Sequence, residues 1–260
     1  MRRPAFTLVE LLVVISIIAI LLMIMAPTSR MLLMRTEMDI CQSNLYHLGT
    51  ANAQYWADWH TRFMPFRDWV DGNYNDLSLL TNPDRSLVYS YVNNAQFFLC
   101  PTFKTVCASN AVRSYVMQHS FCNTHKYWTS ATTWEIRTDG WPGGSPWGNG
   151  YSLDKLSDVI DPARLMLLSE EATWKVQANG VWYSQFTVND AHMCCSDWPN
   201  RDTIAQFHYP GPGPIDQQIE GKGNVVFVDG HVSPVVTTQT PYVVCQKWYN
   251  DPVKAADSGL

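Results

Sequence analysis

From Phe6 to Ala26 the chain is apolar except for Thr7, Ser16 and one carboxylate, Glu10. These 21 residues would form a helix about 30 Å long, the thickness of one bilayer core. Pro27 follows. It lacks a backbone donor and is expected to kink or locally melt the helix. Beyond it, Met34, Met38, Cys41, Leu45, Leu48, Tyr55 and Trp59 recur in steps of three, four and seven. That spacing predicts a second, amphipathic helical half over 27–60 with one apolar stripe. Arg35, Glu37, Asp39, Gln42, Asn44, Asn52 and Asp58 fall mostly off the stripe.

After Trp59 the pattern changes. Arg62 to Asn82 is aromatic and turn-rich, with Pro65, Asp71-Gly72 and Asn82-Pro83. A short apolar and aromatic segment then ends in Phe97-Phe98-Leu99-Cys100-Pro101. The run from Asp139 to Gly150 holds five Gly and two Pro and reads as an irregular surface loop suited to partner contact. Arg164 to Ser169, Val181 to Val188, Asn224 to Val228 and His231 to Val236 are strand candidates, and Asp229-Gly230 reads as the turn of a closing hairpin. Asn250 to Leu260 is expected to fray. A long helix followed by antiparallel strands gives an α+β chain whose stripe packs on a sheet.

Composition narrows the function classes. The chain has 260 residues, 46% of them hydrophobic, enough for one core plus one anchor. A net charge of −5 and the lack of any Lys/Arg-rich run argue against nucleic acid as a partner. None of the 11 Trp lies in the first 50 residues, so the aromatics belong to the body. All seven cysteines, Cys41, Cys100, Cys107, Cys122, Cys194, Cys195 and Cys245, lie beyond the apolar run. If that part is exported, disulfides are expected among them, with an odd thiol left over and the connectivity open.

Glu10 decides between readings of the N-terminus. A charge inside a membrane helix costs about 2.5–3.5 kcal/mol on insertion scales and usually marks a function. Arg2 and Arg3 before the run keep that end cytoplasmic by the positive-inside rule, with the remainder outside. A cleaved signal peptide fits poorly. The run ends Met23-Ile24-Met25-Ala26-Pro27, with no small residue at Ile24, and a cut after Ala26 would put Pro27 next to the scissile bond. A plain signal anchor leaves Glu10 unexplained.

Ala5-Phe6-Thr7-Leu8-Val9-Glu10 and the apolar run behind it resemble the N-terminus of type IV pilins and type II secretion pseudopilins. The resemblance implies a leader, residues 1–5, removed by a prepilin peptidase between Ala5 and Phe6, with N-methylation of the freed Phe6. Ala5 stands where the family usually has Gly. Glu10 becomes the fifth mature residue, where the family has its Glu, and Pro27 falls where many pilins have a helix-kinking Pro. Glu10 would pair with the Phe6 amine of a neighbouring copy. Such pairing lowers the burial cost of both charges and fixes the axial register.

Further islands extend the resemblance to a pseudopilin-like subgroup. These are Cys41-Gln42-Ser43-Asn44-Leu45-Tyr46-His47-Leu48-Gly49, the Phe-x-Cys-Pro at 98–101, and Ser114-Tyr115-Val116-Met117. The subgroup's closing signature is a His followed nine residues later by Asp-Gly. Asn224-Val225-Val226-Phe227-Val228-Asp229-Gly230 fits its second half. His208 is the candidate His, but 20 residues separate it from Asp229, the excess being a Pro/Gly-rich insertion around Pro210 to Pro214. The resemblance implies a pilin-like α+β fold with a leader at 1–5, a transmembrane half-helix at 6–26, an amphipathic half at 27–60 and an exported globular body at 61–260. It also implies a single pass through the inner membrane. The partners would be other copies, related pseudopilins, the prepilin peptidase and an inner-membrane assembly platform.

Chemical constellations are sparse. His208, Asp229 and His231 offer metal donors, but Asp-Gly is a common turn pair and the turn reading is favoured. Cys100, Cys107, Cys122 and His125 lack the tight Cys pair with which a structural zinc site usually starts. A disulfide among these cysteines is preferred. Cys41 reads as a buried helix thiol ahead of a disulfide partner. His192 beside Cys194-Cys195 is a weaker metal candidate. Some major pseudopilins bind calcium near their last sheet. Asp197, Asp202, Asp216 and Asp229 offer oxygens, but without compact ligand spacing, so no cofactor is expected and calcium is left open. No Gly-x-Ser-x-Gly, His-Glu-x-x-His or phosphate loop occurs. The expectation is a structural subunit with no catalytic residues. The rival is an anchored binding module whose Trp141 and Trp147 stack on sugar rings.

Overall fold

The computed structural model describes residues 7–66, 68–71, 73, 75–106, 110–119, 121, 125–130, 133–137, 153–171, 176–178, 181–183, 191–193, 203–208 and 221–239. Its first element is one unbroken helix, α1 (Leu8–Asp58). Thr7 caps it: the Thr7 hydroxyl accepts from the Glu10 amide at 3.3 Å, and Glu10 Oε2 accepts from the Thr7 amide at 2.8 Å. This is a capping box, which satisfies two amides that a helix start would otherwise leave without partners. The helix passes through Pro27 without interruption, so the expected local melting does not occur. It ends at Trp59, followed by His60 and Thr61 with φ of 54° and 64°, a left-handed pair that turns the chain away.

Short helices α2 (Leu77–Leu80), α3 (Tyr89–Val92) and α4 (Pro101–Val106) precede the strands. The strands are β1 (Tyr115–Gln118), β2 (His125–Ser130), β3 (Thr133–Arg137), β4 (Met166–Glu170), β5 (Val176–Ala178), β6 (Val181–Tyr183), β7 (His192–Met193), β8 (Lys222–Phe227) and β9 (Val232–Val236). The main sheet has the order β7-β1-β4-β8-β9. β1, β4, β8 and β9 pair antiparallel, while two-residue β7 joins the edge in parallel. β2–β3 and β5–β6 form separate hairpins.

Of the four strand expectations, three fall in this sheet and the one at Val181 falls in the β5–β6 hairpin. The one beginning at Arg164 starts two residues later, because the Arg164 and Leu165 amides are held in a turn on the Asp161 carbonyl. The strand beginning at Val181 is described to Tyr183, and the rest of that expectation lies outside the described residues. The expected Asn224 and His231 strands are β8 and β9, joined through Asp229-Gly230. Gly230 has φ of +92°, a conformation that favours glycine. The loop from Asp139 to Gly150, with Trp141 and Trp147, and the segment from Asn250 to Leu260 lie outside the described residues.

α1 packs on β8, β4 and β9. Strand alternation sets the two faces of the sheet. Tyr115, Met117, Leu168 and Val226 join Cys41, Leu45, Leu48, Ala51 and Tyr55 of α1 in the large core. Val116, Met166, Val225, Phe227 and Val235 form a second cluster with Met193 and Ile204. The buried stripe is wider than the sequence pattern suggests. Asn44 and Asn52 are buried within it, and Trp59 is exposed. Asn44 Nδ2 donates to the Leu99 carbonyl, and Asn52 Nδ2 donates to Leu48 one turn back.

At Gly49 the helix lies close against β8. A Cβ there would stand 2.8 Å from Val226 Cγ2. Gly49→Ala is therefore expected to destabilise by about 1–3 kcal/mol despite alanine's better helix propensity, because overpacking outweighs propensity here. A urea titration checks it, and Gly49→Ala with Val226→Ala should recover much of the loss.

Candidate assembly segment and buried polar site

From Leu8 to Met23, α1 is uncovered in the single chain. Its large apolar side chains from Leu8 to Met23 are each between 45% and 77% exposed, all round the helix. A helix apolar on every face belongs in a membrane or a subunit interface. Among the described residues no helix is long and apolar enough to cross a membrane. The side chains of the run are described as far as Met23, and α1 continues beyond it to Asp58. Glu10 sits exposed at the start of this half, its carboxylate turned back on Thr7, with the Thr7 hydroxyl donating to Oε2 at 2.8 Å. Ala5 and Phe6 lie outside the described residues.

A second site lies where the other half of α1 meets the body. Cys41 comes from α1, Cys100 from the residue before α4, Glu170 from the end of β4, and His208 from a segment bridged to β8 through Lys222. One donor atom from each lies within 4.8 Å of all the others, and all four residues are buried. Cys41 Sγ stands 2.7 Å from Cys100 Sγ, and Cys100 Sγ stands 3.5 Å from His208 Nε2. His208 Nε2 is 2.9 Å from Glu170 Oε1, while Glu170 Oε2 accepts from the Asn224 amide at 2.8 Å.

The surrounding islands lock this geometry. The Cys100 amide donates to Ser114 Oγ, Asn44 Nδ2 lies 3.4 Å from the Tyr115 hydroxyl, and Gln42 donates to Asn224 Oδ1. The Cys-x-x-Asn-Leu, Cys-Pro, Ser-Tyr and Asn-Val runs, separate in sequence, thus converge on one place.

Burial opposes every charge here. For His208 it favours the neutral ring, but the Glu170 carboxylate and the Cys100 contact outweigh it and raise the pKa to about 10. For Glu170 burial pushes upward, yet His208 and the Asn224 amide hold the carboxyl below its ordinary value. The two therefore form a buried ion pair. Burial raises the Cys41 thiol to about 11 and Cys100 well above its ordinary value, so in the reduced, folded chain neither ionises readily.

The closing signature is not one site. His208 is buried at the start of β8, whereas Asp229 lies past its far end, about 20 Å away along the strand. Asp229 Oδ1 accepts from the His231 amide at 3.1 Å and meets His231 Nδ1 at 2.6 Å, both on the exposed turn. The possible donors His208, Asp229 and His231 are thus divided, with Asp229 and His231 on the turn. Cys100 faces Cys41. Cys107, Cys122, Cys194, Cys195, Cys245, Asp197, Asp202, Asp216 and the side chains of His125 and His192 lie outside the described residues. Sequence reasoning missed Glu170, although a carboxylate ending the apolar run Leu165 to Leu168 signals a buried acid in need of a cation. It also missed the Thr7-x-x-Glu10 capping box.

Residues 1–26 match the family described as Prokaryotic N-terminal methylation motif. No curated protein and no solved structure gives a significant match. The chain therefore opens on a prepilin-type segment of the type IV pilin and pseudopilin kind. Behind it, a long helix laid on an antiparallel sheet gives an α+β fold consistent with a pilin-like architecture.

Proposed function

We propose that this chain is a structural, non-catalytic pseudopilin-like subunit that assembles into a type II secretion pseudopilus or a type IV pilus-like filament. A prepilin peptidase cuts between Ala5 and Phe6, and Phe6 is N-methylated. The first half of α1 then holds the subunit in the inner membrane by a single pass, with the body on the outer side. An assembly platform extracts subunits and stacks them with other copies and related pseudopilins. The observation that carries the reading is the methylation motif on a helix whose first half is apolar and uncovered and whose second half is bedded in a sheet. Such a subunit is a shaft with a rigid head.

Intact mass spectrometry of the mature chain tests it. The expected N-terminus is methylated Phe6. A chain that retains Met1, or begins well beyond Phe6, overturns the proposal.

A further inference from the structure

The two buried thiols sit at the joint through which such a subunit would be pulled. Cys41 belongs to the shaft helix and Cys100 to the head, 59 positions apart in sequence. Their sulfurs are 2.7 Å apart with no exposed surface on either residue. Non-bonded heavy atoms rest about 3.5–4.0 Å apart. A metal ion would also hold them wider, since two thiolates on tetrahedral zinc with bonds of about 2.3 Å stand about 3.8 Å apart. His208 and Glu170, the other two donors, already satisfy each other at 2.9 Å. The spacing therefore favours a covalent link over a metal centre.

We propose that Cys41 and Cys100 are a modification site, oxidised to an intramolecular disulfide that fastens α1 to the body. The oxidised state in cells rests on the proposed export, because the bond persists in an oxidising compartment. The oxidant is the disulfide of an extracytoplasmic thiol oxidoreductase. One cysteine, as thiolate, attacks it to form a mixed disulfide. The second displaces the oxidoreductase. Each cysteine gives up one proton and one electron, and the oxidoreductase leaves as a dithiol. The step belongs before the body closes over the site, since folding buries both sulfurs. Traction on α1 would then reach the sheet through a covalent bond as well as through packing.

The full chain, purified in detergent from the cell envelope, is alkylated with N-ethylmaleimide in denaturant without reductant and mapped by mass spectrometry. The expected result is a peptide pair joined through Cys41 and Cys100 that separates on adding dithiothreitol. Alkylation of both thiols overturns the proposal. So does one equivalent of zinc by elemental analysis that is lost in His208→Ala. The reduced, unfolded chain should form the same pair on refolding in a glutathione redox buffer, and failure there condemns the pairing wherever the chain resides.

The N-terminal mass of the envelope sample reads export separately. Processed Phe6 with free thiols sinks the disulfide and spares the pilin reading. Intact Met1 with free thiols, beside successful pairing on refolding, sinks the export reading and the oxidised state in cells with it. Cys41→Ser, Cys100→Ser and the double variant should each lower Tm by the same amount, roughly 10 °C, as should dithiothreitol on the unmutated chain. Additive losses would mean two separate packing roles and no bond.

Discussion

His208→Ala is expected to destabilise the body by about 3–5 kcal/mol, the usual result of removing one partner from a buried ion pair. Glu170 has no exposed surface, and its Oε1 faces His208 at 2.9 Å. Without the imidazolium, the carboxylate must stay charged in the core or take up a proton against its Asn224 amide bond. A urea titration of the full chain in detergent measures the loss. His208→Ala with Glu170→Leu should recover more than half of it, because a buried pair is often replaceable by apolar groups. Equal loss in the single and double variants would show that packing, not charge, is what His208 supplies.

The same pair sets a pH profile. His208 is raised from 6.5 to about 10 in the folded chain. Its contribution is fully present below 6.5 and is lost as pH rises towards 10. Glu170 is lowered from 4.5, so its contribution is present above 4.5 and is lost as pH falls below that. Stability should therefore plateau between about pH 4.5 and 6.5 and decline on the alkaline side. One proton gives at most about 1.4 kcal/mol per pH unit, or roughly 2 kcal/mol between pH 6.5 and 8.5. His208→Ala should flatten that decline.

The long first helix was legible because it rests on local rules. An apolar run, a proline and a helical stripe are each read from neighbours in sequence. The Asp229-Gly230 hairpin was legible for the same reason, since its turn chemistry lies within the two residues. The buried site was not. Cys41, Cys100, Glu170 and His208 come together only once β4 sits between β1 and β8 and α1 lies across them. No spacing rule encodes that non-local order. Asn44 and Asn52 show a finer failure: polarity alone placed them off the stripe, while side-chain bonds to backbone carbonyls let them enter the core. At Pro27 one missing helical hydrogen bond does not melt a helix that is continuous on both sides.

Glu10→Gln is expected to abolish filament formation while leaving membrane insertion and processing intact. The substitution separates two roles that Glu10→Ala removes together. In the single chain Glu10 closes the capping box with Thr7, and glutamine serves a capping box as well as glutamate does. What glutamine lacks is charge. If Glu10 is the counter-ion of a neighbour's Phe6 amine in an apolar setting, its loss leaves that cation unpaired, at about 3 kcal/mol or more per contact. That weakens each docking step roughly a hundredfold, since every 1.4 kcal/mol is a factor of ten. Thr7→Val makes the opposite cut. It keeps the carboxylate and removes the hydroxyl, a capping loss of about 0.5–2 kcal/mol that should lower filament yield only modestly. Sheared-filament yield, normalised to processed subunit in the membrane, reads both. Full yield from Glu10→Gln, with a collapse in Thr7→Val, would make Glu10 a helix cap and remove it from assembly.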